Sequence, residues 1–112
     1  MGKILNIFVL FLCLNVLIAQ KTYIRSTLPI KDDIIIDPDN GRPFNELAVE
    51  YYDNGQIKLK GRYSGGLASG YWTYFYQNGQ MKARGRYYKA MDITLDAMIE
   101  DGRVGKWVFW FN

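Results

Sequence analysis

Six cationic side chains at alternate positions are the feature of this sequence best suited to chemistry. Lys58, Lys60 and Arg62 alternate with apolar or small residues, and Lys82, Arg84 and Arg86 repeat the pattern 24 residues on. Alternate side chains of an extended chain leave the same face, so each trio makes a basic row. Neighbouring strands lie about 4.8 Å apart, which sets rows one hairpin apart about 10 Å from each other. Lys58 with Lys82, Lys60 with Arg84 and Arg62 with Arg86 then form three rungs, with Tyr74 or Phe75 on the strand between them. Charge and cation–π contact suit such a surface to an acidic protein patch, an anionic lipid headgroup or an acidic glycan. The same rows would also serve simply to solvate the open face of a sheet.

What is missing argues against catalysis. The chain has no histidine, and its one cysteine, Cys13, lies in an apolar N-terminal stretch. Zinc sites of the Cys/His kind, Ser-His-Asp triads, cysteine nucleophiles and redox pairs are thereby excluded from the remainder. Carboxylates cluster at Glu46, Glu50 and Asp53, and again at Asp92, Asp96, Glu100 and Asp101. Glycoside hydrolysis needs two of them facing across a cleft, which one small sheet does not offer. Asp37, Asp39 and Asn40 lack the spacing and distal Glu of an EF-hand loop and suit a turn better. No enzymatic activity, metal or cofactor is expected. A net charge of +3 is too mild to argue for nucleic acid.

The elements that must carry the basic rows are legible as a repeat. Tyr51 to Tyr63 returns as Phe75 to Tyr87, with Asn54-Gly55 matched by Asn78-Gly79, and Gly61 and Tyr63 by Gly85 and Tyr87. Gly70-Tyr71-Trp72 returns as Gly105-Lys106-Trp107 at an offset of 35, which places 11 extra residues between Tyr87 and Gly105. Each unit reads as a β-hairpin. Asn-Gly supplies the positive φ angles of a two-residue type I′ turn, and the following strand alternates between a buried and a wet face. Ile57, Leu59, Gly61 and Tyr63 take one face, as do Met81, Ala83, Gly85 and Tyr87. Gly61 and Gly85 leave room for an aromatic ring from a neighbouring strand. Trp72 and Trp107 are expected to pack the core between hairpins. Tyr71 to Tyr76 carries aromatics at both parities, so its buried face stays open.

Upstream, Ile34 to Ile36 reads as a strand and Asp37 to Gly41 as a turn. Met91, Leu95 and Met98 permit a short helix in the insertion, with Asp92 as its cap, although an excursion of the sheet would serve equally. The third repeat has a first strand, Trp107 to Phe111, and no second before Asn112. That leaves Trp110 and its neighbours on or near a sheet edge, either because the chain is truncated or atypically capped or because the edge pairs with something. At the other end, Lys3, the apolar run Ile4 to Ile18 and Ala19 match a secretory signal peptide cleaved after Ala19, with an uncleaved membrane anchor as the lesser alternative because Asn6 and Asn15 interrupt the run. The expected organisation is a leader at 1–19, a loose segment at 20–33, and an all-β meandering antiparallel sheet of stacked hairpins at 34–112 with an insertion at about 88–101. The mature protein is expected outside the cytoplasm, periplasmic or extracellular.

Tyr-Tyr-x-Asn-Gly-x-hydrophobic-Lys, then Gly-x-Tyr and Gly-x-Trp, resembles the MORN-repeat variant found in YwqK-type toxin–antitoxin antitoxins. Asn40 through Trp72, Gln77 to Tyr87 and Gly102 to Phe111 carry the resemblance. It implies stacked hairpins, a non-catalytic scaffold for protein or lipid contact, and a toxin neutralised by binding. The resulting expectation is an exported repeat module that binds another macromolecule in the cell envelope. Protein is the first partner class, met through the basic face or the Trp110 edge. The alternatives are an antitoxin or immunity protein, which given the leader would act outside the cytoplasm, and a binder of anionic lipid or glycan.

Overall fold

The computed structural model describes residues 21–95 and 102–111. Residues 1–20, which carry the expected leader, residues 96–101 of the insertion and Asn112 lie outside them. In chain order the elements are β1 (Tyr23–Ile24), a 3-10 turn (Arg25–Thr27), β2 (Ile30–Lys31), β3 (Ile34–Ile35), β4 (Leu47–Tyr51), β5 (Ile57–Ser64), β6 (Leu67–Phe75), β7 (Met81–Ala90) and β8 (Arg103–Phe109). β4 to β8 form an antiparallel meander in sequence order, as the hairpin repeat requires. The sheet is nonetheless mixed. β1 lies parallel to β4, Tyr23 opposite Ala48 and Ile24 opposite Val49, and β2 and β3 form a separate two-stranded sheet.

The segment expected to be loose therefore contributes β1, the 3-10 turn and β2. Polar side chains fasten it. Arg25 Nε donates to the Tyr63 hydroxyl at 2.9 Å and its Nη1 to Glu50 Oε1 at 3.0 Å. Lys21 pairs with Asp39 at 3.0 Å, and the Tyr23 hydroxyl donates to the same carboxylate at 2.8 Å. Those bonds hold the Asp39 carboxyl below its usual range, the Tyr23 bond being the largest cause, and raise the Tyr23 phenol to about 12.

The alternation read along β5 and β7 holds in space except at Met81, which is exposed where the register shifts beside the turn. Leu59, Gly61 and Tyr63 are buried while Lys58, Lys60 and Arg62 are exposed, and Ala83, Gly85 and Tyr87 are buried between exposed Lys82, Arg84 and Arg86. The parity left open on β6 resolves with Ala68, Trp72 and Tyr74 inward. Trp72 lies flat against Gly61, where a Cβ would be driven into its indole ring, and Trp107 lies the same way on Gly85. Each indole N–H donates to the carbonyl one residue beyond its glycine, Trp72 to Arg62 and Trp107 to Arg86, both at 3.2 Å. Edge-to-face rings run across the sheet from Tyr23 through Phe44, Tyr63, Trp72 and Tyr87 to Trp107, with centroids 4.9 to 6.1 Å apart. Leu28 and Phe44 close this face on one side and Ile93 on the other. Tyr74 is buried with its hydroxyl against the Tyr87 hydroxyl at 2.8 Å and the Ile93 carbonyl, and burial pushes its pKa far up.

The turns differ from the two-residue form expected. The Gly55 N–H donates to Tyr52 O and the Tyr52 N–H to Gln56 O, and the same pattern joins Tyr76, Gly79 and Gln80. Among the described non-glycine residues only Asp32, Asp33 and Lys89 have positive φ, so Asn54 and Asn78 do not. Each loop thus has three residues, with the glycine at φ +88° carrying the reversal alone. Asn54 and Asn78 act through their side chains, whose Oδ1 atoms accept the N–H of Gln56 and Gln80 at 3.0 Å. The two-residue turn with positive φ at both centres occurs instead at Asp32-Asp33, between β2 and β3. Asp37 and Asn40 fill the turn roles expected of them, accepting the N–H of Asp39 and Arg42. Within the described part of the insertion, residues 91–95 form no helix, and the Asp92 carboxylate accepts the Thr94 N–H instead of capping one. The remainder of the proposed helix lies outside the described residues.

Candidate binding face

The sheet has one face covered by the N-terminal segment and residues 91–95, and one face open. Pairing register fixes what the open face presents. Leu47 and Val49 of β4 stand opposite Arg62 and Lys60 of β5, Lys60 stands opposite Thr73 of β6, and Thr73 opposite Arg84 of β7. Arg84 in turn stands opposite Val108 of β8. Read across the strands, the columns run apolar on β4, basic on β5, Tyr71, Thr73 and Phe75 on β6, basic on β7, and Val104, Lys106 and Val108 on β8.

The pairing register fixes one of the three expected rungs. Lys60 and Arg84 flank Thr73 in register. Leu59, Tyr74 and Ala83 align one residue further, but beyond them the register shifts and Phe75 pairs with Met81, so the pairing does not fix the Lys58–Lys82 rung. The third rung does not close. Arg62 stands opposite Ser69 but Arg86 opposite Tyr71, because the register shifts on both sides of β6 around Gly70, whose φ is +70°. Arg62 instead turns to the β4 side and donates to the Asn45 carbonyl at 3.3 Å.

Aromatic rings interleave with the cations, though not all of those expected. Lys60 stands over Phe75 at 5.7 Å. Tyr74 takes no part, being committed to the covered face by its position two residues from Trp72. Its place is taken by Tyr71, a residue the alternation alone did not single out, whose ring meets Arg84 at 4.5 Å and Arg86 at 5.8 Å. Lys58 over Tyr52 and Lys82 over Tyr76 repeat one geometry at 5.7 Å. Those two tyrosines also bridge strands, Tyr52 donating to Phe75 O at 2.7 Å and Tyr76 to Trp110 O at 2.6 Å.

The face is one-signed. Among the described residues the ion pairs are Lys21–Asp39 and Arg25–Glu50, both away from it, and none of the six cations is in one. At the turn end of the sheet, a cleft of about 270 Å³ opens between Arg25, Glu50, Lys58, Tyr74, Lys82 and Thr94. Trp110, the remaining candidate, is 41% exposed just beyond β8 and donates its N–H to Lys82 O. The repeat glycines and aromatics act as packing and turn residues. Gly105, at φ +67°, matches Gly70 as the 35-residue offset requires.

A stretch of 43 residues is 46% identical to Immunity protein YwqK of Bacillus subtilis (strain 168), covering 37% of this chain and 28% of that protein. The similarity is thus partial on both sides. No family model matches the chain, and no solved structure matches it.

Proposed function

We propose that the chain is a non-enzymatic module that binds and restrains another protein, in the manner of an immunity protein, through the open face of its sheet. The observation that carries the reading is the set of six cations on that face, none in an ion pair among the described residues, alternating with the aromatic rings of Tyr71 and Phe75. Aromatic and arginine side chains supply contact area and orientation, and a one-signed field steers an acidic partner and rejects a basic one. The partial similarity to an immunity protein supports the same reading. With the leader at 1–19, the module acts outside the cytoplasm, on a toxin or an envelope protein.

Co-expression tests this. Each reading frame beside the gene is induced alone and together with the chain, and growth is followed. Rescue by the natural sequence, lost when Lys58, Lys60, Lys82 and Arg84 are replaced by Gln, is the expected result. Rescue that survives the fourfold replacement in a folded protein overturns the open face as the contact. Binding of anionic vesicles by the natural chain, with no rescue by it of any toxic neighbour, would favour lipid over protein.

A further inference from the structure

β8 is built to receive one more strand. Among the described residues it pairs with β7 on one side and with nothing on the other. The Trp110 N–H donates inward to Lys82 O at 2.9 Å, so by strand alternation the Phe109 N–H points outward. Val104, Val108, Phe109 and Trp110 are 38 to 47% exposed along this edge. An edge with free N–H groups and apolar side chains is a template for pairing.

The repeat specifies what fits there. In the preceding unit, β6 receives β7 with Trp72 opposite Gly85 and Tyr74 opposite Ala83. Their equivalents on β8, at the 35-residue offset, are Trp107 and Phe109. An incoming strand therefore presents small residues on the covered face. On the open face one substitution changes the demand. Tyr71, which stands opposite Arg86 and carries the guanidinium groups of β7, is replaced on β8 by Lys106. A cation opposite Lys106 is unfavourable and a carboxylate favourable.

The geometry points to β8 as the acceptor for a strand of the partner protein that is small-residued on the covered face and acidic on the open face. This rests on the reading of the chain as a protein-binding module. A second copy paired about the middle of β8 is disfavoured. Lys106 is the middle residue of β8, so a two-fold antiparallel pairing centred there sets it against its own copy. A strand like β7 would bring Arg86 to the same place.

The probe is a capped synthetic peptide patterned on Met81–Tyr88, with Glu in place of Lys82, Arg84 and Arg86, compared with the unaltered basic peptide. Amide NMR of the full chain at physiological salt reads both binding and its place. The acidic peptide is expected to bind about tenfold more tightly than the basic one, as the position opposite Lys106 changes from a repulsive to an attractive cross-strand pair. Slowed amide exchange at Trp107 and Phe109 should accompany binding. Phe109→Pro removes the outward N–H without a bond to β7 and should abolish binding, whereas Phe109→Ala, which keeps the N–H, should retain most of it. Lys106→Glu should weaken the acidic peptide about fivefold, while Lys31→Glu, an equal change in net charge on β2, should leave it unchanged within about twofold.

Equal effects of the two Glu substitutions, or undiminished binding in Phe109→Pro, overturn the proposal. So does exchange protection at Trp107 and Phe109 before any peptide is added, because the edge is then already occupied. Loss of rescue in the fourfold Gln replacement but not in Phe109→Pro would remove the edge and leave the open-face reading standing.

Discussion

A single methyl group at Gly61 tests the packing that orders this sheet. The added Cβ would be driven into the indole of Trp72. That ring is fully buried, held edge-to-face between Tyr63 and Tyr87, and tied to the Arg62 carbonyl. Overpacking of this kind costs about 1–3 kcal/mol, and losing the indole hydrogen bond adds about 1 kcal/mol. Replacing glycine by alanine within a strand offsets roughly 0.5–1 kcal/mol of that. The net expectation for Gly61→Ala is a loss of about 1–3.5 kcal/mol. Gly85→Ala aims the same methyl at Trp107, but that ring is only half-buried and sits on β8, where it has room to swing outward. The loss there is about 0–1 kcal/mol, because the hydrogen bond is sacrificed and the rest relaxes. Urea unfolding followed by far-UV circular dichroism separates the two. With a slope of about 1–1.5 kcal/mol per molar for a domain of this size, Gly61→Ala lowers the midpoint by about 2 M and Gly85→Ala by under about 1 M. Trp72→Leu in the Gly61→Ala background should recover part of the loss, since the two side chains share one space. Equal losses at the two glycines, or a loss below about 1 kcal/mol at Gly61, would refute the claim that a buried ring sets the requirement for glycine.

Three further outcomes are expected. Arg25→Ala should lower stability by about 1.5–3 kcal/mol in thermal or urea unfolding, because the bonds to Tyr63 and Glu50 that fasten the N-terminal segment are partly buried and charged; a silent substitution would mean the segment docks by other contacts. Burial raises the phenol pKa values of Tyr63, Tyr74 and Tyr87, so the folded chain holds protons that the unfolded chain releases. Stability is then full below the ordinary tyrosine pKa of about 10 and falls as pH rises above it. Tyr74→Phe should flatten that fall in urea midpoints measured from pH 8 to 11, and an unchanged slope would remove Tyr74 from the account. Finally, the intact mass of the full chain expressed in a Gram-negative host and recovered from the periplasm should lack Met1 to Ala19; a full-length mass in the cytosol would return the leader to an unexplained apolar segment.

The parts of this fold that sequence reading reached are those where one residue type has one physical use. Gly61 and Gly85, alternating with basic residues, fix both a buried face and a vacancy on it, and Trp72 and Trp107 fill the vacancies. That same pairing held the information needed to orient β6. Once Trp72 must lie on Gly61, Tyr74 follows it inward, and Tyr71 and Phe75 are left to the cations. Composition alone hid this because rings occupy both parities. The turns failed for a related reason. Asn-Gly serves a two-residue turn and a three-residue loop alike, and the φ of Asn54, which decides between them, depends on the bonds joining Tyr52 to Gly55 and Gln56. The N-terminal segment was illegible for another cause: its strands are two residues long and its anchors are Arg25, Tyr23 and Asp39, which leave no hydrophobic period to detect. On the open face the division matters for function. The inward residues are dictated by packing, so their recurrence in the repeat carries little about what the chain binds. Lys58, Lys60, Lys82 and Arg84 point away from that packing and join no ion pair among the described residues, and Lys106 breaks the repeat where Tyr71 would restore it. Residues the fold does not require are where the identity of a partner is written, which is why the proposed contacts rest on these and not on the better-buried aromatics.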